Sequence, residues 1–436
     1  MRQSFGRPPL HRFILPWIFI AVFLAVAPAL VFYTAGYRWN PKKNKLEHNG
    51  TIILDSVPAD AEVKIDGRAT GLKTPVTVQN MTPGLYRVSV SKIGYHKWEK
   101  NLELVSERVT FATSIWLWRR FDKTFQASTT TTRISVALDD RNELELIQTS
   151  PTKALIYTPL RTISRTIEFP RAIDEIGLIT WSANGRSVLL EAADRRKSSW
   201  LVDTKAQSAP LELTVGQYHW SPSSELLGND TTQLLSIHPE DRRVTKTPLT
   251  SNLVDSLEDA ELRQATHTSG LIFVSPRQLE HGLILPAGHW NFWSKTKDFY
   301  LFRDNQRWLA VQDKLREPEY KLAVGDVPRP FIVGGKTRYL LVNKNEVWLW
   351  DPVSEPELLY RQSERLVAAV WHRSGTNIFL ATDSAVFALN LDPRDGYALT
   401  QLARFDHIRD MAIVTNRLLV AASVDKQVGV WELRVE

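Results

Sequence analysis

Residues 181–190 read WSANGRSVLL, a tryptophan followed by a turn-rich stretch and then by an apolar run. The same order returns at 220–227 as WSPSSELL and at 371–380 as WHRSGTNIFL. Asn, Gly, Ser and Pro favour tight turns, and short apolar runs bounded by such turns are typical of buried strands. The first two tryptophans are 39 residues apart, and the third follows 151 residues later, close to four such steps. The chain therefore carries an internal repeat that is made of strands.

Each repeat continues with a second apolar run that ends near an acidic or amide turn, as at 199–203, 347–352 and 386–390. A period near 40 residues without a long helical pattern is typical of β-propeller blades. Residues 133–436 have room for six to eight blades, and we expect about seven. We also expect the last strands, at 428–433, to pair with a strand from the 133–147 region and close the ring.

The W-S-x-x-G form of these repeats resembles that of TolB-type and other β-propellers. The resemblance implies a fold, and it assigns no function. Residues 255–300 fit the repeat worst. Within them, residues 257–263 are predicted to form a short helix inserted between blades.

An apolar stretch near the N-terminus predicts a membrane anchor. No residue from Phe13 to Tyr37 is charged, and about 20 apolar residues in a helix cross a bilayer. Ala25-Val26-Ala27 leaves open a cleaved signal peptide, although Pro28 would follow the cut and hinder it. The flanking charges are nearly tied, with three arginines before the span and four basic residues soon after it. Because a short basic tail usually stays in the cytosol, we expect the rest of the chain outside.

The segment that follows the anchor alternates apolar and polar residues in short runs, which predicts half-buried strands joined by glycine turns. It contains SVPADAEVKIDG at 56–67 and VSVSKIGY at 88–95, with Thr74-Pro75 and Pro83-Gly84 between them. In order and spacing these residues resemble the PEGA domain over 50–118. Asp60 stands inside the four residues that name the family, at a turn position where Asp tolerates unusual φ. The resemblance implies a small β-sandwich of envelope proteins that acts as a spacer or interaction module.

The predicted fold is therefore all-β apart from one transmembrane helix, with a small β-sandwich followed by a β-propeller. The predicted segments are a cytoplasmic tail at 1–12, a signal-anchor helix at 13–37, a juxtamembrane linker at 38–49, the PEGA-like sandwich at 50–118, a second linker at 119–132 and the propeller at 133–436.

Composition and motifs exclude several function classes. The chain has no cysteine, which excludes disulfides, thiolate metal sites and a cysteine nucleophile. Its 54 Lys and Arg against 48 Asp and Glu are too balanced to indicate nucleic-acid binding. The sequence contains no serine-hydrolase elbow, phosphate loop or zinc-protease motif. We therefore predict no catalytic residue, cofactor or metal site. The histidines at 267, 281 and 289 are interpreted as surface residues, with a metal site as the weaker alternative.

Three tryptophans in the irregular segment are the candidate partner-binding residues: Trp290, Trp293 and Trp308. They are out of phase with the repeat, and exposed rings on a rigid face can stack on sugars or hold a protein. The sequence predicts a single-pass membrane protein whose propeller presents a binding surface for a protein or a cell-wall glycan. The alternative is an envelope hydrolase or lyase with its active site at the mouth of the propeller channel.

Overall fold

The computed structural model describes most of the 436-residue chain. The described residues are 11–34, 37–40, 45–120, 123–128, 134–136, 144–158, 162–173, 175–193, 198–213, 216–221, 223–229, 232–249, 253–257, 260–264, 270–275, 282–295, 299–312, 319–326, 328–333, 336–414 and 416–435. Parts of the sequence predictions fall outside them. These parts are residues 1–10 of the cytoplasmic tail, 35–36 of the anchor, 41–44 of the juxtamembrane linker, 121–122 and 129–132 of the second linker, 258–259 of the predicted helix, and the histidines at 267 and 281.

One α-helix, α1 (His11–Thr34), contains an apolar stretch long enough to cross a membrane. Its apolar side chains from Trp17 onward are exposed, apart from the partly buried Ala27. A two-stranded hairpin follows, made of β1 (Tyr37–Asn40) and β2 (Lys45–His48).

The chain divides into two compact units. The first comprises Met1–Arg119 together with Pro393–Ala398, and the second comprises Arg120–Asp392 with Leu399–Glu436. Within the first unit the carboxylate of Asp395 accepts hydrogen bonds from the backbone and side-chain amides of Asn101, at 2.7 and 3.1 Å.

The first unit contains seven further strands: β3 (Gly50–Val57), β4 (Glu62–Ile65), β5 (Arg68–Lys73), β6 (Val76–Met81), β7 (Gly84–Ser91), β8 (Trp98–Leu104) and β9 (Val109–Trp116). They form a four-stranded sheet in the order β5-β4-β7-β8 and a three-stranded sheet in the order β6-β3-β9. Both sheets contribute to one core, in which Leu54, Val88 and Leu102 are fully buried. Asp60 has a φ of 60°, which confirms the unusual turn conformation predicted for it.

The second unit contains eight four-stranded antiparallel sheets among its described residues. We number them sheet 1 to sheet 8 by the chain order of their first strands. Sheet 1 consists of β11 (Ile134–Val136), β12 (Glu145–Ser150), β13 (Lys153–Tyr157) and β14 (Ile163–Glu168), and sheet 2 consists of β15 (Ile176–Trp181), β16 (Ser187–Ala192), β17 (Ser199–Asp203) and β18 (Leu211–Leu213). Sheet 3 consists of β19 (Gln217–Trp220), β20 (Leu226–Asn229), β21 (Gln233–Ile237) and β22 (Val244–Pro248), and sheet 4 consists of β23 (Leu253–Ser256), β24 (Glu261–Gln264), β25 (Leu271–Val274) and β26 (Leu283–Ile284).

The remaining strands build sheets 5 to 8. Sheet 5 consists of β27 (Asn291–Lys295), β28 (Phe299–Asp304), β29 (Arg307–Gln312) and β30 (Glu319–Val324), and sheet 6 consists of β31 (Arg329–Val333), β32 (Lys336–Asn343), β33 (Glu346–Trp350) and β34 (Glu357–Arg361). Sheet 7 consists of β35 (Leu366–Trp371), β36 (Asn377–Thr382), β37 (Ala385–Asn390) and β38 (Ala398–Arg404). Sheet 8 consists of β39 (His407–Val414), β40 (Arg417–Val424) and β41 (Gln427–Arg434), joined by β10 (Thr124–Ser128).

The tryptophans of the repeat connect neighbouring sheets. Each stands at the end of a first strand and donates its indole N–H to the first strand of the preceding sheet. Trp181 reaches Ser135 Oγ at 3.1 Å, Trp220 reaches the Thr180 carbonyl at 3.1 Å and Trp371 reaches the Arg329 carbonyl at 3.2 Å. The repeat in the sequence is therefore the repeat of a contact between sheets.

Two sequence predictions are corrected by the strand assignments. β41 pairs with β10 at 124–128 instead of a strand from 133–147, so the predicted linker at 119–132 contains a strand. The predicted helix at 257–263 is replaced, over its described part, by a turn and by β24. The described residues of the second unit form eight four-stranded sheets, within the range of six to eight that the length allows and one more than the seven expected.

Sheet 8 and sheet 1 are joined by buried ionic groups. The Arg417 guanidinium on β40 donates to Glu145 Oε1 on β12 at 2.9 Å and to Glu432 Oε2 on β41 at 3.4 Å. The side chains of both acids are at least 95% buried. Ile134 N also donates to Asp410 Oδ2 at 3.0 Å, from β11 to β39. These contacts connect the two ends of the series of sheets.

Candidate binding surface

The three predicted partner-binding tryptophans lie in sheet 5 or just before it, and two of them belong to the core. Trp290 is 2% exposed and Trp308 is fully buried. The Trp290 indole donates to the Pro286 carbonyl at 2.6 Å, and the Trp308 indole donates to the Gly325 carbonyl at 3.1 Å. The expectation of exposed rings is therefore wrong for both.

The physical reason is that sheet 5 has a core on each face. Trp290 packs with Phe273 and Leu309 toward sheet 4, whereas Trp308 packs with Tyr339 and Trp350 toward sheet 6. Trp293 is partly buried against the second of these cores, and its ring meets that of Trp308 edge to face at 5.3 Å. The structure thus separates Trp290 from the other two, and a binding role stays a prediction for Trp293 alone.

An exposed apolar stripe on β30 was missed by sequence reasoning. Tyr320, Leu322 and Val324 are 40%, 41% and 50% exposed, and they alternate along the fourth strand of sheet 5. Every other described fourth strand exposes at most one large apolar side chain. We call these three residues the β30 stripe.

The β30 stripe continues a core face of sheet 5. Tyr320 is the register partner of Val311, and Leu322 is the partner of Leu309. Directly opposed residues of an antiparallel pair lie on the same face of the sheet. Leu309 and Val311 are fully buried in the core shared with sheet 4. The same face is therefore covered over β29 and uncovered over β30.

The length of the facing strand explains this difference. In sheet 4 the fourth strand, β26, is only two residues long, and its Ile284 is 63% exposed. The other face of β30 is closed, since Ala323 is 3% exposed in the core with sheet 6. Lys321 on that side forms an ion pair with Glu355 at 2.8 Å. The β30 stripe therefore lies on a strand whose opposite face is packed.

The backbone edge of β30 is also open. The strand order of sheet 5 is β27-β28-β29-β30, so β30 pairs on one side only among the described residues. An open edge beside alternate apolar side chains is the arrangement by which sheets add an extended peptide as a further strand. The sequence signal was the alternation in EYKLAV at 319–324, but alternation alone does not distinguish a stripe facing a core from one facing solvent.

His219, a buried residue on the first strand of sheet 3, has the most strongly shifted pKa among the described histidines. His219 on β19 lies with its ring edge to face against Phe292 at 4.6 Å, and its Nδ1 is 3.9 Å from Asp255 Oδ2. Burial lowers the pKa of His219 to about 3, so the imidazole is neutral at physiological pH. The His219 side chain is 3% exposed.

Asp410 on β39 is the centre of a second set of polar contacts, which connects the first strands of sheets 1, 6 and 8. Its Oδ1 accepts from Met411 N at 2.9 Å and lies 3.5 Å from the Arg329 guanidinium, while Oδ2 accepts from Ile134 N. The carboxylate is thus engaged by three elements and positions them relative to one another. Among the described residues no three His, Asp or Glu side chains are grouped so as to hold a metal ion.

The first unit carries an open groove of about 650 Å³ on the outer face of its four-stranded sheet. Lys64, Arg87 and Lys97 line it together with Asp66 and Glu99. Glu99 pairs with both Lys97 and Arg87. The opposite charges therefore compensate one another, and the groove offers no strong field of one sign.

Comparison with known proteins identifies the first unit. Residues 49–115 match the PEGA domain family. A search of curated proteins by sequence finds no match.

The structural neighbours of the chain are β-propellers. They include apo AztD from Citrobacter koseri, at 10% identity and a TM-score of 0.44, with 67% of this chain and 99% of that chain covered. BamB from Moraxella catarrhalis is similar at 10% identity and a TM-score of 0.43, with 72% and 97% covered. The WD40 domain of SCAP from fission yeast has 10% identity and a TM-score of 0.42, with 72% and 97% covered.

Proposed function

We propose that this chain is a membrane-anchored scaffold of the cell envelope that binds a partner protein outside the cytoplasm, by recognition and without turnover. Helix α1 is the signal anchor, with the N-terminus in the cytoplasm. The PEGA domain is the spacer, and the second unit is the binding platform. The β30 stripe is the observation that carries the binding role.

The anchor is supported by the exposure of α1. Phe19, Phe23 and Leu24 are each more than 60% exposed, which is unfavourable in water and favourable in a bilayer. The connection from α1 to β3 is a short hairpin. The spacer therefore begins close to the membrane.

We infer that the second unit is an eight-bladed propeller and that the first unit is a β-sandwich. Seven of the eight sheets take their four strands consecutively from the chain, and the eighth combines β39 to β41 with β10 from the start of the unit. Such a shared sheet closes a ring of blades. For the first unit, the support is that both sheets bury side chains in one core.

A protein partner fits the β30 stripe better than a glycan does. Sugars bind on the flat faces of exposed aromatic rings, whereas Trp290 and Trp308 are buried and the β30 stripe carries one exposed ring, Tyr320, beside two aliphatic side chains. The stripe offers alternate apolar side chains and an open strand edge, which an extended protein segment matches in period and in hydrogen bonding. The proposed partner therefore contributes a strand with apolar residues at every second position.

Photo-crosslinking in living cells tests this proposal. A photoreactive phenylalanine analogue replaces Tyr320 in the full chain, and the matched control replaces Leu358 on β34, which is 37% exposed. We expect a discrete protein adduct from position 320 only, and its loss in the Leu322→Asp variant at unchanged chain level. Equal adducts from both positions, or an adduct that survives Leu322→Asp, would contradict the proposal. Loss of retention on purified wall glycan in that variant would favour a glycan instead.

A further inference from the structure

The end of the PEGA domain that follows the anchor is fixed by chain connectivity. Helix α1 ends at Thr34, β1 begins at Tyr37, β2 ends at His48 and β3 begins at Gly50. Because β1 and β2 are antiparallel, the chain returns toward the helix before it enters β3. The Gly50 end of β3 is therefore the end nearest the membrane.

Side-chain contacts hold this end to the hairpin. The Tyr37 ring lies 5.4 Å from Phe32 of the helix and 3.6 Å from His48. Ser106 Oγ donates to the His48 carbonyl at 3.2 Å, and His48 Nε2 is 3.2 Å from Glu107 Oε1. The loop between β8 and β9 is thus attached to the segment that leaves the helix.

Strand register brings further residues to the same end. Thr51 of β3 is the partner of Val109 at the start of β9, and Gly84 of β7 is the partner of Leu104 at the end of β8. Three aliphatic side chains next to these positions are exposed, namely Leu85 at 67%, Val105 at 42% and Val109 at 45%. We call Leu85, Val105 and Val109 the proximal rim.

The proximal rim surrounds this end of the domain. Leu85 lies on the outer face of the four-stranded sheet and Val109 on the outer face of the three-stranded sheet. Val105 lies in the loop between β8 and β9. Three exposed aliphatic side chains beside the charged residues Glu107 and Arg108 make this end amphipathic, which favours contact with the headgroup region of a bilayer.

We propose that the proximal rim contacts the bilayer that α1 enters, with its side chains in the interfacial region. This rests on the proposed anchoring of α1. The covalent link keeps the rim within a short distance of lipid at all times, so weak individual contacts act together. The contact sets the orientation of the PEGA domain relative to the membrane plane.

The absence of cysteine from the chain makes the test direct. Single variants Leu85→Cys, Val105→Cys and Val109→Cys of the full chain are labelled with an environment-sensitive fluorophore and reconstituted in vesicles of phosphatidylcholine and phosphatidylglycerol. Quenching is measured with lipids that carry a nitroxide near the headgroup. Ile93→Cys is the matched control, because Ile93 is fully exposed in the turn after β7, at the opposite end of that strand. Val26→Cys reports on α1 itself and is measured with lipids that carry the nitroxide deep in the acyl chain, because Val26 lies near the middle of the apolar span.

We expect at least twofold stronger quenching at the three rim positions than at Ile93, together with strong quenching at Val26. Rim positions that match Ile93 while Val26 is quenched would overturn the rim contact and leave the anchor intact. An unquenched label at Val26 would overturn the anchoring itself, and with it the proposed function.

Discussion

The buried imidazole of His219 makes the second unit sensitive to acid. In the unfolded chain a histidine takes up a proton below about pH 6.5, whereas the pKa of His219 in the folded chain is about 3. Between these values the unfolded state binds more protons, so the free energy of unfolding falls as pH falls. The contribution of one such group is at most about 1.4 kcal/mol per pH unit.

The variant His219→Gln should remove this contribution. We expect the difference in melting temperature between pH 7 and pH 4 to be smaller in the variant than in the unchanged chain, measured in detergent by tryptophan fluorescence. The control His407→Gln changes a histidine that is 51% exposed and should keep the full difference. An unchanged pH dependence in His219→Gln would show that the imidazole is not held neutral by burial.

At the scale of residues, the sequence predicted the tryptophans of the repeat well and those of sheet 5 poorly. Trp181, Trp220 and Trp371 recur because each makes the same bond to the preceding sheet. Trp290 and Trp308 make no such repeated contact, so their lack of phase suggested a surface role. Their burial follows from the packing of sheet 5 between two neighbours, which a single sequence does not reveal.

At the scale of elements, the bond network of Arg417 joins the last sheet to the first. Replacing Arg417 with Met removes the cation that the buried Glu145 and Glu432 share, although Glu432 keeps its ion pair with Arg434 at 3.3 Å. Removing one partner of a buried pair costs about 3–5 kcal/mol. We expect a clear lowering of the denaturation midpoint of the second unit. The control Arg243→Met breaks an ion pair whose side chains are at least half exposed, and should leave the denaturation midpoint nearly unchanged.

A second variant separates the charge effect from lost packing. Adding Glu145→Gln to Arg417→Met removes the charge of the carboxylate that lies 2.9 Å from Arg417 in the unchanged chain, so part of the lost stability should return. An Arg417→Met protein as stable as Arg243→Met would contradict the role of this network.

Strand existence was predictable and strand pairing was not. The alternation in the first unit and the apolar runs after each turn predicted strands at the positions observed, as with β4, β7 and β16. The partner of β41 was missed because β10 lies in a polar stretch, and its place in sheet 8 depends on a contact across the whole unit. The β30 stripe was missed because its exposure depends on the length of β26.

At the scale of the whole molecule, one chain combines a helix that is apolar and long enough to cross a membrane, a match to the PEGA domain and a unit whose described residues form eight four-stranded sheets. Each part has a physical reason for its place. The helix exposes apolar side chains, the PEGA match begins after the β1–β2 hairpin, and β30 of the second unit has an open strand edge among the described residues. The central claim is that this platform lies outside the cytoplasm.

The accessibility of one introduced cysteine tests that claim most directly. Val353 lies in the turn between β33 and β34 and is 56% exposed, so a Val353→Cys variant of this cysteine-free chain carries a single reactive thiol. A membrane-impermeant maleimide is applied to spheroplasts before and after lysis. The account predicts full labelling before lysis. Labelling that requires lysis would place the platform in the cytoplasm and contradict the proposed function.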